Sequence, residues 1–364
     1  MDYIHTGRVG INGVVVPGPV SDDSEELIFQ PGDDGRQIAD YRKGDFEWWY
    51  FDINDQASGC FLKIVLHIGT DPLRTRIFPQ LAISLNTPDR SESFFLPFSF
   101  KDLKADTGQC NITVNDDIKI RSQFNDSNDY IIEINIPGFK CNFRFTGEIG
   151  GWKPFGNKFQ YQSGKKTGDF SWVIPVPRAG VEGDFTFENK KYTLTGAIGY
   201  HDHNYVKVDR KNPLYMDDLA VKWYWGKCYA ERFTMIFADI YSRTNRTLAL
   251  MVAENNKIIH SSNNLIDCTI RSSGYDNILK VEYPVLIKIR SLDVHFPLQA
   301  ELEFTRILDR RDLLEGVNPV LKFLIKSLVA RPVYYGILAK AGLEINNTRA
   351  VGSGNFESMV FRGK

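Results

Sequence analysis

Three short clusters hold most of the residues able to do chemistry in this 364-residue chain. One contains a lone acid, Asp239, in the otherwise apolar run Phe233-Thr234-Met235-Ile236-Phe237-Ala238-Asp239-Ile240-Tyr241, shortly after Lys222-Trp223-Tyr224-Trp225-Gly226. On a strand Asp239 points with Phe237 and Tyr241, while Trp223 and Trp225 share a face. If the Asp239 face lines a cavity, desolvation raises the carboxyl pKa and keeps the group protonated near neutrality. Such an acid can protonate an alkene, with aromatic π-faces stabilising the cation that forms. The competing reading is an exposed or salt-bridged strand aspartate.

A second cluster, Gly199-Tyr200-His201-Asp202-His203-Asn204-Tyr205, gathers two of the six histidines. In extended geometry His201 and His203 share a face, with Asp202 opposite. A His-x-His pair can ligate a metal, but a site needs a third protein ligand, and the sequence nominates none. No metal is therefore expected; a hydrogen-bonded cluster that positions a loop or polarises a substrate group is the better reading. In the third cluster, Asp45-Phe46-Glu47-Trp48-Trp49-Tyr50-Phe51-Asp52, Glu47, Trp49 and Phe51 face one way and Trp48, Tyr50 and Asp52 the other. One tryptophan belongs in a core and the other beside a cavity, unless both simply pack. A G-x-S-x-G elbow, a P-loop, a G-x-G-x-x-G after a strand and an H-E-x-x-H are all missing. That leaves a binding protein or an enzyme that needs no cofactor.

The elements that must position these residues read as short β-branched or aromatic strands bounded by Gly, Pro, Asn or Asp. They cover Glu47–Ile53, Cys60–His67, Phe78–Leu85, Tyr130–Ile136 and Lys140–Gly147. One hairpin runs from Phe185–Glu188 through Asn189-Lys190 into Tyr192–Thr195, and another from Leu248–Ala253 into Ile258–His260. A third is expected to join Ile278–Tyr283 to Val285–Arg290, bent at Pro284. Many short strands at this spacing mean a sandwich or a barrel. A single short C-terminal helix is expected over Val320–Ala330, entered at Asn318-Pro319 and stopped at Arg331-Pro332. At about eleven residues it is too short to span a bilayer. It reads as a core-packing helix, or alternatively as a peripheral membrane contact or a pocket lid, with Lys322, Lys326, Arg331, Arg310 and Arg311 nearby.

The length fits two domains of roughly 150–200 residues, assigned as 1–208 and 209–364 with the boundary in Asp209–Pro213. Hydrophobic residues at 43% and charged residues at 24% are those of a globular protein. A net charge of −1 lacks the basic footprint of nucleic-acid binding. The 25 Phe, 16 Tyr and 6 Trp favour strands and apolar pockets. Five widely spaced cysteines without a C-x-x-C pair argue against a disulfide framework and for a reducing compartment. The opening Met1-Asp2-Tyr3-Ile4-His5 has no secretory character, so a cytoplasmic location is expected.

Taken together, Glu47–Asp52, Gly199–Tyr205 and Trp223–Gly226 with Asp239 resemble the carotenoid 1,2-hydratase (hydroxyneurosporene synthase) and AttH-like family, which includes kievitone hydratase and fungal Diels–Alderases. The similarity covers about residues 40–362, and the C-terminal Leu313–Tyr335 segment also resembles the hydratases. Tyr205 stands where a Trp is usual, Val206 where a Gly is usual, and Phe237 where a Tyr is common. The resemblance implies an all-β fold of two tandem lipocalin-like β-barrel or β-sandwich domains, a hydrophobic small-molecule substrate, and catalysis without metal or redox cofactor. By matching motifs it nominates Asp239 as proton donor, with His203 and Tyr205 completing the catalytic group. Trp49, Phe51, His201 and Asn204 are expected around the substrate. So are Trp223, Trp225, Phe237 and Tyr241.

Three functions follow. One is a terpenoid or polyene enzyme that protonates a C=C bond, ending in hydration or cyclisation according to whether water is held or excluded. Another is a pericyclase that folds a polyene for a Diels–Alder closure by proximity. The last is a non-catalytic lipid or pigment carrier.

Overall fold

Residues 139–147 show how the sheets are specified: Phe139, Cys141, Phe143 and Phe145 are buried, while Lys140, Asn142, Arg144 and Thr146 between them are exposed. In the computed structural model this pattern recurs along a nearly all-β chain. The described residues are 29–361, except 72–73, 125–127, 155–158, 164, 243–245, 264, 316–318, 320–321, 324–325 and 327–331. They fall into two units: 29–154, 168–213 and, separately, 159–167 with 214–361.

Most of a curled twelve-stranded sheet belongs to the first unit, while Phe159–Ser163 and residues 166–167 of that sheet fall in the second. Its strands are β1 (Phe46–Asp55), β2 (Cys60–Thr70), β3 (Ile77–Asn86), β4 (Ser91–Pro97), β5 (Leu103–Ala105), β6 (Asn111–Val114), β7 (Ile118–Phe124), β8 (Asn128–Ile136), β9 (Phe139–Gly147), β10 (Phe159–Ser163), β11 (Lys166–Phe187) and β12 (Lys190–Val208). The order is β4-β3-β2-β1-β12-β11-β9-β8-β7-β6-β5, with β10 beside β11. β1 pairs antiparallel with both β2 and β12, and β11 with both β12 and β9, so β1 and β12, far apart in sequence, are neighbours. The sheet wraps a core that includes Trp49, Phe51, Ile64, Leu66, Ile132 and Phe143. β4 is one edge and is almost wholly exposed.

The second unit holds a curled nine-stranded sheet, ordered β16-β15-β14-β13-β21-β20-β19-β18-β17. These are β13 (Lys222–Ala230), β14 (Phe233–Tyr241), β15 (Arg246–Glu254), β16 (Lys257–Asn263), β17 (Ile266–Asp276), β18 (Val281–Ser291), β19 (Leu298–Asp312), β20 (Val333–Ile345) and β21 (Thr348–Val360). Phe237, Leu250, Ile287, Ile337 and Phe356 lie in its core. The all-β expectation, with two curled half-barrel sheets, describes the chain.

Details differ from expectation. The hairpin placed around Pro284 is instead β17–β18, turning at residues 277–280, and Pro284 lies inside β18. The Asp276 carboxylate fixes that turn by accepting from the Ile278 and Leu279 N–H groups at 2.7 and 3.1 Å. A register shift between Ser272 and Ser273 sits opposite Pro284, which lacks an N–H for the ladder. The β11–β12 turn is Glu188-Asn189, both at positive φ, one residue earlier than read. β11 continues through Pro175 and Pro177 by register shifts between Val173 and Val176 and between Val176 and Ala179. At Gly183, φ is +128 and an added Cβ would lie 2.0 Å from the Asn142 carbonyl oxygen. The expected helix over Val320–Ala330 lies mostly outside the described residues; Lys322 and Lys326 both reach Asp312. Among the described residues no helix is long and apolar enough to cross a membrane.

Candidate functional site

Two of the three sequence clusters are adjacent strands. In the β1–β12 pair Trp49 lies opposite His203, Phe51 opposite His201 and Glu47 opposite Tyr205. Opposed residues share a sheet face, and the rings stack: Trp49 on His203 at 4.6 Å and 13°, Phe51 on His201 at 3.8 Å and 5°. This face points into the core of the first unit.

Proton positions follow from the partners. His201 Nδ1 lies 2.9 Å from the Tyr50 carbonyl oxygen, which can only accept, so that nitrogen carries hydrogen. Nε2 then faces Asp34 Oδ2 at 2.9 Å, and a proton must lie between them. The Tyr130 hydroxyl donates to the same oxygen at 2.6 Å. His203 repeats the pattern, donating from Nδ1 to the Asp33 carbonyl at 3.2 Å and from Nε2 to Glu47 Oε1 at 2.9 Å. Burial by itself lowers the His203 pKa, but the hydrogen bond and charge of Glu47, the charge of Asp34 and the Asp33 carbonyl outweigh it and raise the pKa above the usual histidine value. Glu47 also accepts from the Gln37 and Ile38 N–H groups and from the Tyr41 hydroxyl.

Asp34 comes from the short turn Pro31–Asp34, which sequence reading passed over. It lies with Cys110 and His201 so that one ligand atom of each is within 4.8 Å of the others. This is the kind of third ligand that His-x-His lacked. Yet Asp34 and His201 already share a proton directly. Burial, then the charge of Asp34, push the Cys110 thiol well above its ordinary pKa, away from the thiolate that binds metal. The hydrogen-bonded reading accounts for the cluster. His201, His203, Trp49 and Phe51 are all fully buried within it. Tyr205 is half-buried, its ring 5.5 Å from that of His203.

The other face of the same strands carries a second buried polar group. The Tyr200 hydroxyl donates to Asp202 Oδ2 at 2.8 Å, Trp172 Nε1 to the same oxygen at 3.3 Å, and Asn204 Nδ2 to Asp202 Oδ1 at 2.8 Å. The Tyr50 hydroxyl donates to Asp52 at 2.9 Å. Asn204, expected beside the substrate, thus points away from His203 and holds Asp202.

In the second unit the register sets side chains in rows on the inward face. Lys222, Tyr241 and Arg246 form the row at one strand end; Tyr224, Asp239 and Leu248 form the next; Gly226, Phe237 and Leu250 the third. Asp239 is 1% exposed. It is salt-bridged: Arg246 Nε reaches Oδ1 at 2.8 Å and Nη2 reaches Oδ2 at 2.9 Å. Arg246 Nη2 also donates to the Cys268 carbonyl at 2.6 Å. Asp239 is thus an ion-paired strand aspartate, because a hairpin neighbour brings a bidentate guanidinium onto both oxygens. Burial, then the Asp239 charge, push the Tyr224 phenol up to about 12 and the Tyr241 phenol higher still. Phe237 is fully buried in the core below, while Trp223 and Trp225 lie on the opposite face. There Trp223 packs on Phe361 at 5.2 Å, and the Lys227 ammonium sits 4.7 Å from the Trp225 ring. Arg246 escaped sequence reading, although extending the β14–β15 hairpin would have set it diagonal to Asp239.

No known family profile matches the chain. A curated relative, hydroxyneurosporene dehydrogenase of Chlorobaculum tepidum, is 21% identical over 55% of this chain and 58% of its own length. The match thus spans little more than half of that relative. Among solved structures, a candidate AttH from Nitrosomonas europaea superposes with a TM-score of 0.61, at 12% identity over 95% of this chain and 99% of its own. Kievitone hydratase from Nectria haematococca gives 0.59, at 12% identity over 94% and 95%. CghA with Sch210972 gives 0.57, at 12% identity over 94% and 98%. The resemblance carried by the motifs therefore extends to nearly the whole fold.

Proposed function

We propose that this protein is an enzyme that converts a small hydrophobic substrate by addition or ring closure at a carbon–carbon double bond, using no redox cofactor. The observation that supports it is the setting of Asp239: a carboxyl ion-paired to Arg246 and sunk beside Tyr224, Tyr241 and Leu248 on the inward face of the half-barrel. A kievitone hydratase of the same fold is consistent with chemistry of this class.

In the acid-initiated route, substrate entry draws Arg246 off one Asp239 oxygen, which takes up a proton from solvent. The alkene π pair takes that proton at its less substituted carbon, and the Tyr224 and Tyr241 faces stabilise the tertiary cation. Water or an internal nucleophile then adds to the cation, and the proton it loses returns to Asp239. His203, fully buried on Glu47 and Trp49, acts here as a positioning residue that fixes β1 against β12, with Tyr205 beside it.

A pericyclic route is favoured by one observation: both Asp239 oxygens are already occupied by Arg246. There the protein supplies shape, and proximity carries the rate. Incubation with candidate polyenes and terpenoids in heavy water separates the routes. Acid initiation puts deuterium on carbon, and Asp239→Asn lowers turnover by roughly 10²–10⁴. Pericyclic closure incorporates none and leaves Asp239→Asn within a few fold. Unchanged ligand across the panel would instead mark a carrier and end the enzyme reading.

A further inference from the structure

We propose that the outermost inward-facing row of the second unit, Lys222, Tyr241 and Arg246, is a subsite for the acidic head group, a carboxylate or enolate, of an amphiphilic substrate. The inference rests on the reading of Asp239 as part of a substrate site and names the class of molecule that fits it.

Charge count comes first. Lys222 and Arg246 bring two cations to this strand end, and both flank one ring: the Lys222 ammonium lies 4.3 Å from the Tyr241 centroid and the Arg246 guanidinium 5.0 Å from it. Lys222 is also 5.5 Å from the Tyr224 centroid. Asp239 neutralises one cation, through the Nε and Nη2 edge of Arg246. Among the described residues Nη1 of Arg246 is left over, and cation–π contacts to two tyrosines hold Lys222. Among the described residues, therefore, the row keeps one positive charge without a carboxylate beside a buried, already neutralised ion pair. A free acid group satisfies that charge with charge-assisted hydrogen bonds, and the guanidinium is suited to a planar carboxylate.

Polarity along the strands supplies the second argument. Arg246 is 34% exposed at its side chain, Asp239 in the next row is 1% exposed, and the third row is Gly226, Phe237 and Leu250. Polarity thus falls from two cations, through one ion-paired carboxylate, to Phe237 and Leu250 within three rows of one sheet face. A head group held at the first row sets the carbons attached to it against Tyr224 and Leu248, beside Asp239. A neutral hydrocarbon would leave the Lys222 charge unanswered while covering it, which costs binding energy. The row thereby selects for acids over alcohols or hydrocarbons of equal length.

Calorimetric titration of the full chain with dodecanoate and dodecan-1-ol, both below their aggregation limits, tests this. The acid should bind at least about tenfold more tightly than the alcohol, with the preference shrinking as salt rises. Lys222→Met keeps the stem and removes the charge, and should bring the two ligands within about threefold. Arg246→Lys keeps a partner for Asp239, so the fold is retained while the planar fork is lost, and should weaken the acid alone. Equal binding of acid and alcohol by the natural chain, a preference that survives Lys222→Met, or no binding of either ligand would overturn the subsite. The heavy-water assay judges the enzyme reading separately, so the two can fail independently.

Discussion

The imidazole of His203 sits between the Asp33 carbonyl and Glu47, and this makes stability depend on pH in a calculable direction. Its pKa is raised in the folded chain, so the stabilisation it gives is complete below its unfolded value near 6.5 and is lost as pH rises through the raised value. His67 works the other way: burial lowers it to about 4, so its contribution is present above 6.5 and lost as pH falls from there towards 4. Denaturant melts between pH 4 and pH 9 should therefore show a maximum between the two flanks. Glu47→Gln should cost about 3–5 kcal/mol by stranding a buried cation and should flatten the alkaline flank. An alkaline flank unchanged in that variant would dismiss the His203–Glu47 pair as its source. Sequence reading put His201 and His203 on one face and Glu47 with Trp49 and Phe51, and the structure joins those faces. It missed Asp34, because a short polar turn ahead of β1 has no periodicity to betray that its carboxylate is buried.

At the scale of elements, legibility followed how plainly a strand alternates. β9 shows one buried and one exposed face, and its pattern was readable residue by residue. β1 and β14 are buried on both faces, so no alternation said which side held the half-barrel interior. β11 hid its 22-residue length behind Pro175 and Pro177, which its register shifts absorb. Pro284 misled for the same reason, since a bulge lets a strand pass through a residue that ordinarily ends one. Gly183 is where such an irregularity can be tested. Its +128 φ and the Asn142 carbonyl 2.0 Å from any added Cβ predict that Gly183→Ala destabilises by roughly 2–4 kcal/mol. A thermal melt within a degree of the natural chain would show that β11 and β9 yield there freely.

For the whole molecule, strand spacing announced an all-β chain, and length announced more than one core. What no local pattern contained was the meeting of distant segments: β1 with β12, β13 with β21, and Asp34 with Cys110 and His201. Those depend on how each sheet curls. Among the described residues neither curled sheet's strand path closes on itself, and β4 ends one of them with Phe95 at 49% and Leu96 at 37% exposure. An open ladder of peptide groups beside exposed apolar side chains is a template for foreign strands. Glu92 and Pro97 on that strand are its safeguards, one repelling and the other unable to donate. Glu92→Val should raise light scattering of concentrated, gently heated solutions, and unchanged scattering would mean the rim is guarded elsewhere. A rise would mean that one carboxylate and one proline ring at the rim of this sheet keep concentrated solutions of the chain clear.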